Sequence, residues 1–464
     1  MPAPVTIGLP YRFEPRDYQV PLVSHMFDTP SNARTFELGP KAFTGKRAAV
    51  VWPRRHGKDK TAWNILITAS QLWRVGTYYY FLPTYRQAKR VMWDERGKDG
   101  LLFRDHIPEA LKAQENESEL RIELTNGSAI QLIGADTFEE SGVGTNPIGV
   151  VFSEYALINP RAWKFVMPIL RENGGFAMFV FTPRGENHAY KLFVNAQQHS
   201  DRWFSERLTV ETARHKGKRI LSDADIQEER DDGMTEELIQ QEYYTSFHGS
   251  MEGTYFGEAL DAAIAAERVS LFPYDPARLV HTAWDPGWND TNSVWFFQMF
   301  PGGPRFVDYE SAKNRSLKDW IKACRDKSYV YGTHLAPHDM EVHEYSTGQT
   351  RKEFASGLNW HFDVVPKVGR KEEGVDAARR LIATSAFDQR GCEDGLNALR
   401  SYHKEWDEVR MVFKDKPVHD WSSNGADAFQ TAAMGINLVI DDEAVTTSRQ
   451  TESDTDYSGY EDDE

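Results

Sequence analysis

The stretch AVVWPRRHGKDKTAWN, residues 49–64, decides the fold. An apolar run typical of a buried strand leads into a basic turn, and a helical pattern begins at about Asp59. A strand that passes into a helix through a Gly-Lys dipeptide is the context of a phosphate-binding loop, because backbone N–H groups and the positive end of the helix face the anion. The stretch departs from the usual loop at two positions, with Trp52 for the first glycine and Asp59 for Ser or Thr.

Each loop residue has a predicted role in holding a nucleotide. Lys58 reaches the β and γ phosphates, and Asp59 offers a hard oxygen ligand to Mg²⁺ in place of the usual hydroxyl. The turn that surrounds the phosphates consists of Arg54, Arg55, His56 and Gly57. Its two arginines, together with the metal, offset the negative charge that Asp59 adds. Taken alone, the stretch also fits an ordinary basic turn before a helix.

Two later strands end in polar residues that suit the same site. The segment IGVVFSEYALI, residues 148–158, places Glu154 at a strand end, where a carboxylate lies beside the γ-phosphate and polarises the attacking water. Ser153 stands where such strands usually carry Asp, which fits a metal shell supplied partly by the loop. The segment FVFTPRGENHAY, residues 179–190, is a buried strand that ends at Thr182. A surface Glu at a strand end is the alternative interpretation of Glu154.

The N-terminal stretch FEPRDYQ, residues 13–19, predicts how the base of the nucleotide is recognised. It places Arg16 and Gln19 close together, and a Gln amide pairs with both hydrogen-bonding edges of an adenine. We therefore predict that this stretch reads adenine through Gln19. A surface turn is the alternative.

The pattern of apolar runs predicts two domains, as expected for 464 residues. Up to about residue 210, short apolar runs alternate with helical segments, which indicates an α/β domain with a mostly parallel sheet. The strand-like runs lie at residues 47–52, 77–83, 129–134, 148–153 and 176–183. Residues 211–270 are charged and helical in pattern and are predicted to form a linker subdomain. From about residue 277 the pattern changes to a strand meander, and residues 271–440 are predicted to form the second domain.

Three aspartates in the second half predict a metal-dependent nuclease site. Asp285 ends the first strand of a three-stranded meander, Asp339 ends the fourth strand, and Asp427 lies on a late helix, which is the order of an RNase H-like fold. Cleavage of a phosphodiester by two ions about 3.5–4 Å apart requires hard oxygen ligands, so carboxylates that converge on two Mg²⁺ or Mn²⁺ ions fit this chemistry. Each Asp alone also fits a helix cap or a turn.

Neighbouring residues add weaker candidates to the nuclease site. Glu310, at the end of the third strand, is either an auxiliary ligand or a solvated edge residue. His338 and His419 either assist water and phosphate or belong to a polar shell. The basic segment 367–380 either contacts a DNA backbone or forms an amphipathic helix.

Composition and charge exclude several protein classes. No run of about 18 apolar residues exists, so a membrane span is not expected, and the N-terminus has no signal-peptide pattern. The two cysteines exclude a disulfide framework and a cysteine-rich zinc site, which fits a cytosolic chain. The net charge is −16, and the tail, residues 441–464, holds ten acidic residues against one basic residue. We predict that this tail is disordered and either solubilises the chain or docks a partner. DNA contact then requires local basic surface.

Four segments, in this order, resemble the large terminase subunit of tailed bacteriophages: PRRHGKD, YYFLPTYRQAKRVMWDE, VVFSEYA and FTPRGENHAY. In that family, a P-loop ATPase of the ASCE type drives double-stranded DNA into a preformed capsid, and a C-terminal RNase H-like nuclease cuts concatemers. The resemblance implies that Arg54 and Lys58 act in the loop and that Glu154 is the catalytic carboxylate. It also implies that Thr182 couples hydrolysis to movement and that the three aspartates belong to the nuclease.

The same resemblance implies cofactors and partners. The cofactors are ATP with Mg²⁺ in the motor and two Mg²⁺ or Mn²⁺ ions in the nuclease. The partners are viral double-stranded DNA, a portal protein, a small terminase subunit and further copies of the chain in a ring on the procapsid, in the host cytoplasm and with no membrane. A ring motor usually takes an arginine from the neighbouring subunit, for which Arg86 and Arg184 are candidates.

Two other functions fit the same residues. A helicase-like ATPase with an attached nuclease, acting in repair or recombination, predicts strand unwinding, whereas a terminase moves intact duplex. A non-enzymatic capsid-docking scaffold with decayed acidic sites predicts neither hydrolysis nor cutting.

Overall fold

The computed structural model describes residues 8–30, 37–136, 138, 144–247, 253–286, 291–343, 348–367, 371–407 and 412–439. The chain divides into two compact units, Met1–Glu252 and Gly253–Glu464. The division falls inside residues 211–270, the segment predicted as a linker. The acidic tail predicted at 441–464 and Arg370 of the basic segment lie outside the described residues.

The first unit is built around an eight-stranded sheet. The strands of the unit are β1 (Arg47–Val51), β2 (Thr77–Leu82), β3 (Lys112–Asn116), β4 (Arg121–Leu124), β5 (Ala129–Gly134), β6 (Gly149–Ser153), β7 (Phe176–Phe181), β8 (Trp203–Arg207), β9 (Arg214–His215) and β10 (Lys218–Arg219). The sheet order is β3-β4-β5-β2-β6-β7-β1-β8, and β9 pairs separately with β10.

This strand order confirms the predicted mostly parallel sheet. Every neighbouring pair is parallel except β3 with β4 and β4 with β5. One strand, β7, lies between β1 and β6, which is the arrangement of P-loop ATPases of the ASCE type. Because the strands are parallel, the carboxyl ends of β1, β6 and β7 meet at one edge of the sheet.

Helices cover both faces of the sheet, so its central strands are apolar along their whole length. They are α1 (Val20–Phe27), α2 (Lys58–Leu72), α3 (Tyr85–Gln87), which continues as a π-helix (Ala88–Asp94), α4 (Pro160–Asn173), α5 (His188–Gln198), α6 (Asp223–Asp231) and α7 (Glu236–Glu242). All residues of β6 and β7 are buried. On one face, the rings of Phe81, Phe152 and Phe179 stack across three neighbouring strands, with centroids 4.6 and 5.1 Å apart.

Helices α6 and α7 form a small cluster of their own within the first unit. Ser222 caps α6 by accepting from the backbone N–H of Asp225, and the Thr235 side chain caps α7 in the same way. The buried apolar residues of this cluster are separate from the sheet cores and comprise Val210, Ile226, Met234, Ile239 and Tyr243. The two helices therefore carry their own packing.

One edge of the sheet is antiparallel and charged. Strand β3 forms that edge and has only an intermediate or exposed pattern of burial. Lys112 on β3 pairs with Glu115 at 2.8 Å and with Glu109 at 3.2 Å. Charged side chains on a short edge strand disfavour pairing with another chain.

Gly149, the first residue of β6, allows neighbouring strands to approach closely. A Cβ atom at this position would lie 2.8 Å from Tyr78 Cδ1 of β2 and would collide with the Phe176 ring of β7. We expect Gly149→Ala to lower the free energy of unfolding by about 1–3 kcal/mol, because overpacking a filled core forces neighbours to shift. Chemical denaturation would measure the loss. Gly8→Ala, whose Cβ meets nothing within 4 Å, is the control and should leave stability unchanged; equal stability of both variants would contradict the prediction.

The second unit contains a seven-stranded mixed sheet. The strands of the unit are β11 (Val269–Ser270), β12 (Val280–Asp285), β13 (Asn292–Gln298), β14 (Arg305–Ala312), β15 (Tyr331–Ala336), β16 (Phe362–Val364), β17 (Ala386–Asp388), β18 (Lys404–Asp407) and β19 (Val412–Pro417). The sheet order is β11-β17-β14-β13-β12-β15-β16, and β18 pairs separately with β19.

The predicted meander is confirmed by the pairing of these strands. Strands β12, β13 and β14 are consecutive antiparallel neighbours, and β15 and β16 continue the sheet in parallel on the other side of β12. The order β14-β13-β12-β15-β16 is that of an RNase H-like sheet. The predicted fold class, a P-loop ATPase domain followed by an RNase H-like domain, is therefore confirmed.

Six helices pack on this second sheet in the described part of the chain. They are α8 (Gly257–Ala265), α9 (Leu317–Asp326), α10 (Arg351–Ser356), α11 (Lys371–Thr384), α12 (Glu393–Ser401) and α13 (Trp421–Gly435). Helix α13 is buried on most sides and packs against β12 and β13, where the Trp295 indole N–H donates to the Gly425 carbonyl at 2.8 Å. Across all described residues, no helix is both long and apolar enough to cross a membrane.

Candidate functional site

The loop between β1 and α2 has two residues with left-handed backbone. Arg55 has φ +64° and Gly57, which precedes the first residue of α2, has φ +74°. Gly57 also lies close to a neighbour, since a Cβ there would be 3.2 Å from Gln19 Nε2. Glycine is the residue that takes such a conformation without steric cost. The turn thereby brings the chain into α2 with Lys58 as its first residue.

Lys58 joins three elements of the sheet edge. Its Nζ lies 2.8 Å from Glu154 Oε1, which follows β6, and donates to Thr182 Oγ1, which follows β7, at 3.2 Å. The residue is 7% exposed. Burial lowers the pKa of the Lys58 amine, but the charges of Glu154 and Asp59 outweigh burial and leave the pKa above its usual value. The structure therefore brings together three predicted site residues around a buried, charged amine.

Glu154 is held in an unusual backbone conformation. Its φ is +54° and ψ is +45°, in the left-handed region that a non-glycine residue enters at a cost of roughly 1–2 kcal/mol. Its backbone N–H donates to Val180 O at 2.8 Å, and Glu154 Oε2 accepts from the Thr182 backbone N–H at 3.4 Å. Strain of this kind is found where the surrounding structure fixes a functional side chain.

Asp59 accepts hydrogen bonds from two hydroxyl groups, those of Ser153 and Tyr80. Its Oδ1 accepts from the Ser153 hydroxyl in a very short contact and from the Tyr80 hydroxyl at 3.0 Å. Burial, followed by the charge of Asp59, raises the pKa of Tyr80, so this hydroxyl stays protonated and donates. Mg²⁺ in nucleotide sites is bound by one or two carboxylates plus phosphate oxygens. The pair of Asp59 and Ser153 therefore fits the predicted ion.

The N-terminal stretch supports the loop from below. The Tyr18 hydroxyl donates to His56 O at 2.7 Å, and Gln19 Nε2 donates to the same carbonyl at 3.1 Å. Gln19 Oε1 accepts from the Arg16 backbone N–H at 2.9 Å, and the residue is 2% exposed. Gln19 thus supports the loop through its amide nitrogen, while its contact with adenine stays a prediction. Arg16 donates to the Tyr18 hydroxyl at 2.9 Å.

The basic residues of the turn divide into exposed and buried members. Arg54 and Arg55 are exposed, as a residue that meets a phosphate from solvent should be. His56, predicted to line the phosphates, is instead fully buried beneath the turn, with Nδ1 2.8 Å from Arg54 O. Burial lowers the pKa of the His56 imidazole, so the ring is neutral near pH 7. His56 therefore shapes the turn through its backbone and its packing.

A buried ion pair adds Glu242, which the sequence motifs did not identify. Arg184 NH1 lies 2.5 Å from Glu242 Oε1, and the Glu242 carbonyl accepts from the Arg54 backbone N–H at 2.8 Å. Glu242 is the last residue of α7 and is 4% exposed. In the sequence, Glu242 is one acidic residue of a charged helical segment, and this position does not distinguish it from acidic residues that face solvent.

The two candidate arginines for a neighbouring subunit lie in different settings. Arg184 is held inside its own chain beside Glu242, and its pKa is raised because Glu242 and Glu154 outweigh the effect of burial. Arg184 is therefore engaged within its own chain. Arg86 is exposed on α3, so it is the candidate that can reach another subunit.

The three aspartates predicted for the nuclease lie on neighbouring elements of the second unit. Asp285 ends β12, and Asp339 follows the parallel neighbour β15, with Ala283 and Leu335 in register between these strands. Asp427 lies on α13, which packs against β12. Both strand ends are therefore at the same edge of the sheet, next to the helix that carries the third carboxylate.

The side chains of this trio have separate surroundings. Burial raises the pKa of Asp427, although the charge of Lys371 and a hydrogen bond from Gln430 Nε2 at 2.9 Å act in the other direction. Asp339 is exposed and lies 3.0 Å from His338 Nε2. Among the described residues, no group of three or more Asp, Glu, His or Cys side chains is placed to hold a metal ion. Convergence of the trio on two ions stays a prediction.

The weaker candidates near the trio have other partners. Glu310 pairs with Arg315 at 2.5 Å and with Lys327 at 3.4 Å. His419 Nδ1 lies 3.1 Å from the Ser423 hydroxyl. The basic segment forms α11 from Lys371 onward, and its Arg379 donates to the Tyr255 carbonyl at 2.8 Å.

Several solved structures are similar to this chain. The large terminase of a thermophilic bacteriophage in complex with ADP has a TM-score of 0.39 and 13% identity, over 92% of this chain and 100% of that one. The ATPase domain of the Thermus phage P74-26 large terminase has a TM-score of 0.31 and 17% identity, over 43% and 88%. The large terminase nuclease of the thermophilic phage G20c, with bound cobalt, has a TM-score of 0.29 and 16% identity, over 39% and 97%.

These solved structures carry the family name that the sequence motifs resemble. No protein-family model matches the chain, and no curated protein matches it. At these identities and TM-scores, function has to be argued from the residues of the site.

Proposed function

We propose that this chain is a large terminase subunit, in which ATP hydrolysis drives double-stranded DNA into a procapsid and a two-metal nuclease cuts concatemeric DNA. The observation that carries the proposal is the placement of the Lys58 amine, at the start of a helix after a phosphate loop, between Glu154 and Thr182 from two adjacent strand ends. In this proposal, Lys58 binds the phosphates, Glu154 is the catalytic carboxylate and Thr182 is the coupling hydroxyl.

Hydrolysis follows from an exchange of partners at Lys58. A γ-phosphate that enters the loop competes with Glu154 for the lysine amine, because both are anions. Once Lys58 holds the phosphate, the Glu154 carboxylate is free to accept a proton from water and to orient that water toward the γ-phosphorus. Asp59 and Ser153 would hold a Mg²⁺ ion, which would supply neutralising charge to the phosphate oxygens. Thr182, which follows the strand β7, contacts both Lys58 and Glu154, and this double contact supports its proposed coupling role.

The nuclease activity is proposed from the second unit. Asp285, Asp339 and Asp427 would hold two Mg²⁺ or Mn²⁺ ions, whose chemistry is to activate water and stabilise the leaving oxygen. Their elements meet at one sheet edge, which is what a shared set of ligands requires. Lys371 acts on Asp427 electrostatically, and this cation would face the negatively charged DNA backbone.

The remaining parts of the proposal concern partners and location. A packaging motor requires a portal on the procapsid, a small terminase subunit that presents viral DNA, and a ring of copies of this chain. Arg86, exposed on α3, is the proposed contribution to a neighbouring subunit's nucleotide. The place of action is the host cytoplasm.

Three assays on the purified chain test the proposal. We expect Mg²⁺-dependent phosphate release from ATP, cutting of plasmid DNA with Mn²⁺ or Mg²⁺, and loss of both activities with EDTA. A strand-displacement assay on a forked duplex should show no unwinding, because a packaging motor moves intact duplex. ATP-dependent unwinding would instead favour a helicase-like ATPase with a nuclease, and absence of both hydrolysis and cutting would favour a docking scaffold.

A further inference from the structure

We infer that Glu242 lowers the preference of the nucleotide site for ATP over ADP, by occupying Arg184 until a γ-phosphate takes its place. The inference rests on the proposed ATPase function and deepens it. Glu242 acts through Arg184 and is therefore a positioning residue, whereas Arg184 is the group that meets the phosphate.

The ion pair of Arg184 and Glu242 lies at the sheet edge that carries the proposed nucleotide site. Arg184 follows β7 by three residues, on the same sheet edge as Lys58 and Glu154. Its guanidinium is 2.5 Å from Glu242 Oε1 and lies within electrostatic reach of Glu154. Arg184 is thus a cation at the γ-phosphate end of the proposed site, already engaged by a carboxylate of its own chain.

The charged groups around the loop determine which carboxylate a triphosphate displaces. Lys58, Arg184 and the exposed Arg54 face three carboxylates around the loop, which are Asp59, Glu154 and Glu242. A triphosphate adds further negative charge, and like charges close together in a low-dielectric site repel strongly. One carboxylate therefore has to give way. Asp59 is assigned to the metal and Glu154 to the water, so Glu242 is the carboxylate that the γ-phosphate displaces.

ATP and ADP differ in their effect on this ion pair. ADP lacks the γ-phosphate, so it leaves the pair of Arg184 and Glu242 intact and competes little with it. ATP exchanges the pair for a contact between Arg184 and the phosphate. Separation of the ion pair therefore weakens the binding of ATP but not that of ADP. Removing the Glu242 charge should strengthen ATP binding selectively.

Glu242 connects the loop to the helix pair α6 and α7. It is the last residue of α7, its carbonyl accepts from Arg54 in the loop, and α6 and α7 share a separate apolar cluster. Displacement of the carboxylate would therefore act on the end of a helix pair that packs as one body. The same exchange thus connects nucleotide occupancy to the position of α7.

The test compares the affinities for ATPγS and ADP in the full chain by fluorescence titration. We expect Glu242→Gln, which keeps the shape and an acceptor for Arg184, to tighten ATPγS binding about tenfold and ADP binding less than about twofold, a coupling of ordinary size between two sites of charge. Glu236→Gln, at the exposed start of the same helix, is the matched control and should leave both affinities unchanged. Equal gains for both nucleotides, or no gain for ATPγS, would overturn the inference.

Two further variants keep the test decisive. In an Arg184→Gln background, Glu242→Gln should no longer change the ratio of affinities, because the exchange needs the arginine; an unchanged effect would show that Glu242 acts elsewhere. Glu242→Asp keeps the charge but shortens the reach, and should shift the ratio in the same direction by a smaller factor. A wild-type chain that binds neither nucleotide would contradict the proposed ATPase, whereas wild-type binding with an unmoved ratio contradicts only this inference.

Discussion

Replacement of Lys58 by alanine is expected to reduce ATP hydrolysis at least about 100-fold, because it removes the cation that holds the transferring phosphate. The variant also leaves Glu154 without the amine that lies 2.8 Å away. Nucleotide binding should weaken less than the rate, since the backbone N–H groups of the loop and the helix end remain. Phosphate release under saturating ATP measures the loss.

The chain offers a matched control on the same helix. Lys60, two residues further on, has a side chain that is 35% exposed and pairs with Asp99 at the surface. Lys60→Ala removes an equal charge and should change the rate less than about twofold, because exposed ion pairs contribute little. Similar rates for the two alanine variants would show that Lys58 has no special place in the reaction.

Replacement of Asp427 by asparagine is expected to reduce DNA cutting at least about 100-fold, since the loss of one hard anionic ligand weakens the stabilisation that two metal ions provide. Folding should survive, because burial already disfavours the charged form of Asp427 and raises its pKa. The asparagine oxygen can keep the hydrogen bond from Gln430. We therefore expect an unchanged or slightly higher melting temperature together with the loss of cutting, measured on supercoiled plasmid with Mn²⁺.

Two comparisons make that result specific. Asp376→Asn, on the exposed face of α11 where the residue pairs with Arg379, should cut at the wild-type rate. ATP hydrolysis by Asp427→Asn should stay within about twofold of wild type, because the residue belongs to the other unit. Retained cutting by Asp427→Asn would remove this residue from the proposed nuclease site.

Most of the first sheet could be predicted because its strands are continuous apolar runs. The predicted strand at 129–134 coincides with β5 (Ala129–Gly134), and that at 148–153 overlaps β6 (Gly149–Ser153). Strands β3, β4 and β8 were not predicted, because their charged or half-exposed residues carry no continuous apolar run. Strands that are covered by helices on both faces show as continuous apolar runs in the sequence, whereas the formation of an edge hairpin depends on partners far along the chain.

The site could be predicted only where its chemistry is local. Lys58, Glu154 and Thr182 each follow a strand end, and parallel strands bring such ends together, so their contact follows from pattern and topology. Glu242 could not be found in this way, because its role depends on how α7 folds back onto the loop. His56 was assigned to the phosphates from its position in the turn, yet burial under the turn is a property of packing that the motif does not contain.

The charged edge strand β3 has a consequence for handling the protein. The ion pair of Lys112 and Glu115 places charged groups on β3, where an open sheet edge would otherwise pair with another copy. Concentrated stocks should therefore resist fibril-like growth along this margin, and any tightly associated assembly has to use surfaces other than strand-to-strand extension there.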